Sequence, residues 1–306
     1  MIHTLTTNPA IDMNISTNGL VPRRVNRTFD AVYTPNGKGL NVSFVLRHFG
    51  VPSRIMGFFG GFSGHYIVDE SRKKGFDVVP VWVDDITRIN IFLNDGTTEY
   101  KLVNDGALVP REKQLEMLAH IEELQDMTHL SVSGSLPQGI SPDYYDEILD
   151  ICRARDVRII LDISSPKLRN LLRYRPLLIK PNDEELEKIF GIAAKTEEDM
   201  LCALAQLHRE GAQNILLTLG ERGAYFSDGT AVYFAPARPV NLLSSACAGD
   251  AALAAFMSVW LDRPDHVEDA LKTMAAVGAN VAESNALGTL SRAEEYKKDI
   301  QVRRVR

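Results

Sequence analysis

The residues best placed to do chemistry lie late in the chain, in Ser244-Ser245-Ala246-Cys247-Ala248-Gly249-Asp250 and the run Ala251-Ala252-Leu253-Ala254-Ala255-Phe256 that follows. Small apolar residues of this kind favour helix. Ala248, Gly249 and Asp250 would then form its N-terminus, where free backbone N–H groups and the helix dipole attract an anion. A carboxylate at that place can take a proton from an attacking hydroxyl. Phosphoryl transfer needs both functions, a base for the nucleophile and an anion site for the moving group. An aspartate in this position can equally act only as a helix cap.

Two further clusters fit the same chemistry. Asn36-Gly37-Lys38-Gly39-Leu40-Asn41-Val42-Ser43 leads into a helix running to about Phe49. Its glycines let backbone approach a ligand closely, Lys38 offers a cation to a phosphate, and Asn41 can hold hydroxyls. The spacing GxxxxGK[ST] of a P-loop is absent. In Lys180-Pro181-Asn182-Asp183-Glu184-Glu185, Asn182 and Glu185 lie three apart at a predicted helix start and share a face. They could grip hydrated magnesium from outside its water shell. They also match a capping box, which is compatible with that role. Gly57, Gly60, Gly61 and Gly64 are read as turn and packing glycines.

The elements that must position these groups follow from the hydrophobic pattern. Short β-branched runs at 54–58, 78–83, 129–133, 158–163, 177–180 and 215–219 alternate with amphipathic stretches near 64–74, 112–125, 143–154, 183–190 and 197–210. That alternation predicts βαβ units and a mainly parallel sheet, with ligands beyond the carboxyl ends of its strands. Ser133-Gly134-Ser135, Asp162, Lys180-Pro181-Asn182 and Thr218-Leu219-Gly220 fall at those ends. Residues 12–35 and 87–107 hold short alternating runs with turn signals at Thr17-Asn18-Gly19, Pro35-Asn36-Gly37 and Asn94-Asp95-Gly96. They predict a small β-rich lid, set apart from an α/β core of 1–11, 36–86 and 108–306.

Composition narrows the class. The chain has 306 residues and a formal net charge of −6, which argues against nucleic acid as a bulk partner. It shows no apolar run of membrane-span length and no signal-peptide pattern at its N-terminus. Cys152, Cys202 and Cys247 form no CxxC pair, which points to a reducing cytoplasm. The basic end Arg303-Arg304-Val305-Arg306 reads as a solvated terminus.

Taken in order, these motifs resemble the PfkB/ribokinase family of sugar kinases over nearly the whole chain. The resemblance is carried by Thr4-Leu5-Thr6-Thr7-Asn8-Pro9-Ala10-Ile11-Asp12, the Gly-Lys-Gly-x-Asn-Val signature at 37–42 and Ser133-Gly134-Ser135-Leu136-Pro137. Lys180-Pro181-Asn182-x-x-Glu185, Thr218-Leu219-Gly220-x-x-Gly223 and Ala248-Gly249-Asp250 complete it. Asn8-Pro9-Ala10-Ile11-Asp12 and Val25-Asn26-Arg27 look most like the branch of 1-phosphofructokinases and tagatose-6-phosphate kinases. The resemblance implies a three-layer ribokinase-like α/β core with a small β-lid, ATP and magnesium as cofactors, and a homodimer paired through the lid. It implies Asp250 as base, with Cys247, Ala248 and Gly249 at the anion site. Asp12, Gly37 and Asn41 would hold sugar hydroxyls, with Ser135 nearby, and Lys38, Arg27 and Arg88 the phosphate already on the substrate. Lys180, Asn182, Thr218, Gly220, Gly223 and Asn280 would serve the nucleotide, with Asn182 and Glu185 as indirect magnesium partners.

The implied reaction is fructose 1-phosphate to fructose 1,6-bisphosphate, with a tagatose-6-phosphate kinase as alternative. A non-catalytic sugar-phosphate-binding protein on the same fold is a further reading. A Rossmann dehydrogenase is disfavoured because no GxGxxG follows the first strand. Two positions depart from the family pattern, Cys247 and Asn36, where it usually has glycine. Cys247 beside a helix N-terminus is expected to have a lowered thiol pKa and sensitivity to oxidants.

Overall fold

The computed structural model describes residues 1–193, 195–243, 247–284 and 286–306. Its strands are β1 (Ile2–Thr6), β2 (Ala10–Thr17), β3 (Thr28–Asn36), β4 (Ser53–Gly60), β5 (Asp77–Val83), β6 (Ile89–Asn94), β7 (Glu99–Leu102), β8 (His129–Ser133), β9 (Arg158–Asp162), β10 (Leu178–Ile179), β11 (Ile215–Thr218), β12 (Ala224–Ser227), β13 (Val232–Ala235) and β14 (Arg303–Arg304). Its helices are α1 (Lys38–His48), α2 (Gly61–Lys73), α3 (Arg111–Glu123), α4 (Tyr144–Ala154), α5 (Lys167–Leu171), the single turn α6 (Asp183–Glu185), α7 (Glu197–Glu210), α8 (Ala248–Trp260), α9 (Val267–Ala282) and α10 (Ala293–Lys297).

Ten strands form one sheet in the order β14-β13-β12-β11-β10-β9-β8-β1-β4-β5. The run from β5 to β11 is parallel, because helices carry the chain back between strands. Short turns join β11, β12 and β13, so these pair antiparallel. The central strands are buried on both faces, which is why they read as continuous apolar runs rather than alternations. Side chains alternate between two cores. Leu5, Val132 and Leu161 pack with α3, α4 and α7 on one face, whereas Ile160, Leu178 and Leu216 pack with α1, α8 and α9 on the other. The alanines of α8 let it sit close to its neighbours, and Phe226, Phe256 and Trp260 fill the space at its far end.

In-register pairing brings polar strand ends together. Thr6 pairs with Ser133, Ser133 pairs with Asp162, and Lys180 follows the end of β10. The apolar strand bodies thus deliver a row of polar groups to one edge, beyond the strands' carboxyl ends.

A second sheet of four strands, ordered β3-β2-β6-β7, stands apart from the first. Asn94-Asp95-Gly96 makes the β6–β7 turn, where the Asp95 carboxylate accepts from the Thr97 and Thr98 amides. The Pro35-Asn36-Gly37 signal is different: Asn36 ends β3 and Gly37 opens directly into α1, so it is a strand-to-helix junction rather than a hairpin. Among the described residues, no helix is long and apolar enough to cross a membrane.

Candidate active site

The site assembles where α1, α8 and the polar strand ends meet the small sheet. The first turn of α1 presses on the end of β1. A side chain at Gly37, whose φ is +148°, would come within 2.5 Å of Thr6, and one at Gly39 within 2.4 Å. Glycine is required at both positions. The Thr6 hydroxyl accepts from the Leu40 amide at 3.0 Å, fixing the helix start. Lys38 and Asn41, one turn apart, then point toward the strand ends and toward α8.

α8 opens as the sequence predicts, with Asp250 in its first turn. Asp250 is buried, and its Oδ2 accepts from Asn41 Nδ2 at 2.9 Å. Burial raises its pKa above the ordinary aspartate value and the nearby Asp162 adds to this, although Lys38, Asn41 and Lys180 pull the other way. The N–H groups of Ala248, Gly249 and Asp250 precede the helix's own hydrogen-bond ladder and face the same space. Lys180 Nζ approaches this mouth, 3.8 Å from where a side chain on Gly249 would begin. Ser244, Ser245 and Ala246 of the same motif lie outside the described residues.

Asp162 is the group the sequence reading noted only as a strand-end polar residue. It is fully buried, and its Oδ1 receives both Lys180 Nζ at 3.1 Å and Lys38 Nζ at 3.3 Å. Burial alone would raise its pKa, but the two lysines outweigh burial and hold it below the ordinary value. Burial likewise opposes the charge on Lys38, and the carboxylates of Asp162, Asp250 and Glu185 reverse this, raising its pKa. Asp162 Oδ2 is buried without a hydrogen-bond partner. One carboxylate therefore aims two cations at the mouth of α8. A local signal existed, a carboxylate closing an otherwise apolar strand, but its partners lie 124 and 18 residues away in sequence.

Asp12 lies on β2 of the small sheet, held by Asn90 Nδ2 at 2.9 Å and by Asn36 Nδ2. Burial raises its pKa. Asn90 stands opposite Asp12 only through the parallel β2–β6 register, so no sequence spacing could announce it. Asp12, Asn36, Lys38, Arg88, Asn90 and Ser135 are among the residues lining a cavity of about 260 Å³. Arg88 gives Nη1 and Nη2 to the carbonyls of Asn104 and Asn8, at 3.2 and 3.1 Å, and leaves Nε buried without a partner. Ser135 Oγ accepts from Asn8 at 3.4 Å. Arg27 does not join this group. Its side chain is exposed, and it does not line the cavity that Lys38 and Arg88 share.

The residues assigned to the nucleotide divide. Thr218 forms a bridge with Asn182 and donates its amide to Pro181 at 3.0 Å, so both face one strand end. Gly220 has open space where a side chain would stand. Gly223 serves the chain instead: with φ +102°, a side chain there would meet the Ala235 carbonyl at 2.3 Å. Asn280 Oδ1 accepts the Arg292 amide at 3.0 Å and ties α9 to the segment before α10. Asn182 and Glu185 form the capping box in full, and Glu185 Oε1 also accepts from Ser164. Each Glu185 oxygen thus carries one protein hydrogen bond and keeps capacity for a metal-bound water. Among the described residues, no three His, Cys, Asp or Glu side chains converge to hold a metal directly. That set suits a magnesium ion that keeps its waters and leans on substrate phosphates.

Cys247 takes the left-handed conformation, with φ 64°. Its thiol corrects the sequence expectation. Burial and the neighbouring Asp250 push its pKa up to about 12, against a hydrogen bond from Asn36 and despite the helix N-terminus. Cys247 should therefore resist iodoacetamide at pH 7.5 while the exposed Cys202 reacts, as peptide mass mapping would show. Rapid labelling of Cys247 would contradict this. Cys247→Gly should raise stability by about 1 kcal/mol in urea titration, because glycine carries no penalty at positive φ.

Comparison with known proteins agrees with this geometry. The model for the pfkB family carbohydrate kinases matches residues 6–293. The chain is 51% identical to a D-tagatose-1-phosphate kinase of Klebsiella oxytoca over 99% of both chains. It is 31% identical to a 1-phosphofructokinase of Bacillus subtilis over the full length of both. A crystal structure of phosphofructokinase-2 from Escherichia coli superposes with a TM-score of 0.90 at 24% identity, covering 97% of this chain and 98% of that one, and shares the fold. With a buried aspartate at the mouth of α8 and two lysines gathered on Asp162, the match over nearly the whole length identifies the chain as a member of the PfkB family of carbohydrate kinases.

Proposed function

We propose that this kinase transfers the γ-phosphoryl group of ATP to the C6 hydroxyl of a ketohexose 1-phosphate. D-Tagatose 1-phosphate is put first and D-fructose 1-phosphate second. The single observation that carries the chemistry is the buried Asp250 at the mouth of α8, oriented by Asn41 and faced by two lysines anchored on Asp162. The choice of sugar is supported by the relatives' names, which place the first phosphate on carbon 1. The motifs alone favoured fructose 1-phosphate with tagatose 6-phosphate as the alternative; tagatose 1-phosphate enters on the greater identity to the tagatose-1-phosphate kinase.

Asp250 accepts the proton of the acceptor hydroxyl as its oxygen attacks phosphorus in line. Its raised pKa brings it nearer to that task than an ordinary aspartate would be. The amides of Ala248, Gly249 and Asp250, with Lys38 and Lys180, stabilise the charge that develops on the moving group. Asp12 takes a sugar hydroxyl in the cavity, beside Gly37 and Ser135, whereas Asn41, expected from the motif to hold a hydroxyl, does not line the cavity and gives both amide hydrogens to Asn36 and Asp250. Arg88, which lines the same cavity, takes the phosphate already present. Magnesium, leaning on Glu185 and Asn182 through its waters, would supply charge neutralisation for the triphosphate. Thr218 and Gly220 line the approach for the nucleotide.

The decisive test is coupled ADP release with D-tagatose 1-phosphate, D-fructose 1-phosphate, D-tagatose 6-phosphate, D-fructose 6-phosphate, ribose and adenosine. Release with the two 1-phosphates above all others is expected. Activity confined to ribose or adenosine would sink the reading.

The small sheet exposes Phe29, Val32, Tyr33 and Leu102, each by 45% or more. Apolar surface on this scale supports a second copy docking there as a lid-to-lid homodimer. Light scattering should then return about twice 34.0 kDa, and a monomer at micromolar concentration would argue against it. The three cysteines stand unpaired, which supports a reducing compartment such as the cytoplasm.

A further inference from the structure

The two positions that depart from the family signature touch each other. Asn36 Nδ2 lies 3.5 Å from Cys247 Sγ, although the residues are 211 apart in sequence. The Asn36 amide does more than fill space. Its nitrogen donates to Asp12 Oδ2 and Cys247 Sγ, and its oxygen accepts from the Gly37 amide and from Asn41 Nδ2 at 3.0 Å. An amide offers two donors and two acceptor sites, so every position is used by the protein. This also fixes the amide's orientation, since the reverse flip would set its oxygen against the Asp12 carboxylate and its NH2 against two donors. Asn41 then passes the connection on, with its other Nδ2 hydrogen on Asp250 Oδ2 at 2.9 Å.

The result is one unbroken relay, Asp12–Asn36–Asn41–Asp250, running from β2 and β3 of the small sheet through α1 to α8 of the core. We infer that Asn36 is a positioning residue that couples the carboxylate gripping the sugar to the carboxylate acting as base. The inference rests on the proposed roles of Asp12 and Asp250. A saturated amide has no capacity left for substrate, so Asn36 acts through its neighbours. When a sugar hydroxyl engages Asp12, the hold of Asp12 on Asn36 changes. The adjustment reaches Asp250 through the one Asn41 nitrogen that serves both partners. The small sheet and the core are thereby tied at the point where acceptor meets base.

The test follows both carboxylates directly, by carbon-13 NMR titration of aspartate-labelled protein. Asn36→Ala keeps the β3 backbone, which is not in the left-handed region, and removes the amide. Asp12 loses a direct donor, and its pKa should rise by about one unit. Asp250 loses nothing directly, but its Asn41 partner loses its second anchor, so its pKa should rise by about half a unit. Lys38, Lys180 and Asp162, the other charged groups facing Asp250, keep their partners, whereas Cys247 loses its hydrogen bond from Asn36, which pushes its already raised thiol pKa further up and leaves it neutral. With the best substrate of the panel, kcat should fall about tenfold, and the acid limb of its pH profile should move up with Asp250. A shift of Asp12 with Asp250 unmoved, or a change in KM alone, would overturn the inference. If Asn36→Ala melts early, Asn36→Ser is titrated instead, with the same outcomes deciding. If the wild-type protein releases no ADP with any phosphosugar, the kinase assignment of substrate falls, while the carboxylate titrations still decide whether the relay exists.

Discussion

Asp250→Asn is expected to lower kcat by roughly 10³- to 10⁴-fold while the dissociation constant for the phosphosugar changes little. Asparagine preserves the hydrogen bond from Asn41, since its side-chain oxygen can take the place of Oδ2. Only the proton acceptor is lost. Stopped-flow single turnovers and equilibrium dialysis would separate the two quantities. Equal losses in kcat and in binding would show that Asp250 holds substrate rather than serving as base. In the wild type, the acid limb of kcat should lie above the ordinary aspartate range, because burial raises the pKa of Asp250.

The same substitution should stabilise the protein. A carboxyl group whose folded pKa is raised binds its proton more tightly in the native state than in the unfolded chain. Its contribution is therefore most favourable below the unfolded value, and it declines as pH rises toward the folded one. At neutral pH the buried charge is a net burden, and asparagine removes it. A gain of about 1 kcal/mol in urea titration at pH 7 is expected, vanishing near pH 3.5. Such a gain, paired with the loss of turnover, would mark Asp250 as a group retained for chemistry at a cost in stability. A clear loss of stability would mean that its attraction to Lys38 and Lys180 outweighs its burial.

Asp162→Ala should have the opposite effect on stability. The substitution leaves Lys180, only 5% exposed, without its counter-ion and frees Lys38 from its anchor. Removing one partner from a buried ion pair destabilises by about 3–5 kcal/mol, since a charge remains in a poorly solvating place. Because the pKa of Asp162 is depressed, its contribution is present above the unfolded value and is lost as pH falls through the folded one. The gap between wild type and variant should thus be full at pH 7 and should narrow below about pH 4. Urea titrations at pH 7 and pH 3 test this. A gap of under about 1 kcal/mol at pH 7 would show that the lysines find water or other partners when Asp162 is gone. Asp162→Asn, which keeps an oxygen for the lysines, should recover part of the stability. It should recover less of the turnover, because the cations would be less firmly aimed.

The motifs were legible because each depends on local chemistry. Asp250 follows two small residues and precedes an alanine-rich helix, and that pattern alone announces a helix N-terminus. Gly37 and Gly39 mark a close backbone approach, and the structure shows what they approach, the side chain of Thr6. The alternation of β-branched runs with amphipathic stretches implied a mainly parallel sheet and the shared edge on which its polar strand ends fall, whereas the spatial order, with β1 between β8 and β4, came only from the structure.

What stayed hidden depends on pairing between distant segments. Asn90 meets Asp12 only because β2 and β6 lie side by side in one register. Asp162 becomes a hub only when α1 and the end of β10 bring two lysines to the same oxygen. Arg27, grouped with Lys38 and Arg88 on charge alone, stands outside their cavity. Gly223 and Asn280, grouped with the nucleotide by motif, are engaged with the chain's own backbone.

Cys247 shows the division most plainly. It stands where the family pattern usually has glycine, and the structure shows why glycine suits the place, since the backbone there is left-handed with φ 64°. Its place beside a helix N-terminus wrongly implied an acidic thiol. The helix dipole is a local property that sequence reveals, whereas burial and the approach of Asp250 and Asp12 are tertiary, and together they reverse the sign. For this protein the sequence by itself determined the elements on which Lys38, Asn41, Asn182 and Asp250 ride, because helix starts, strand ends and glycine turns are short-range. Only the tertiary structure decided the charge states of those groups and the linkage between them. Desolvation and hydrogen-bond partnership are set by residues far away along the chain.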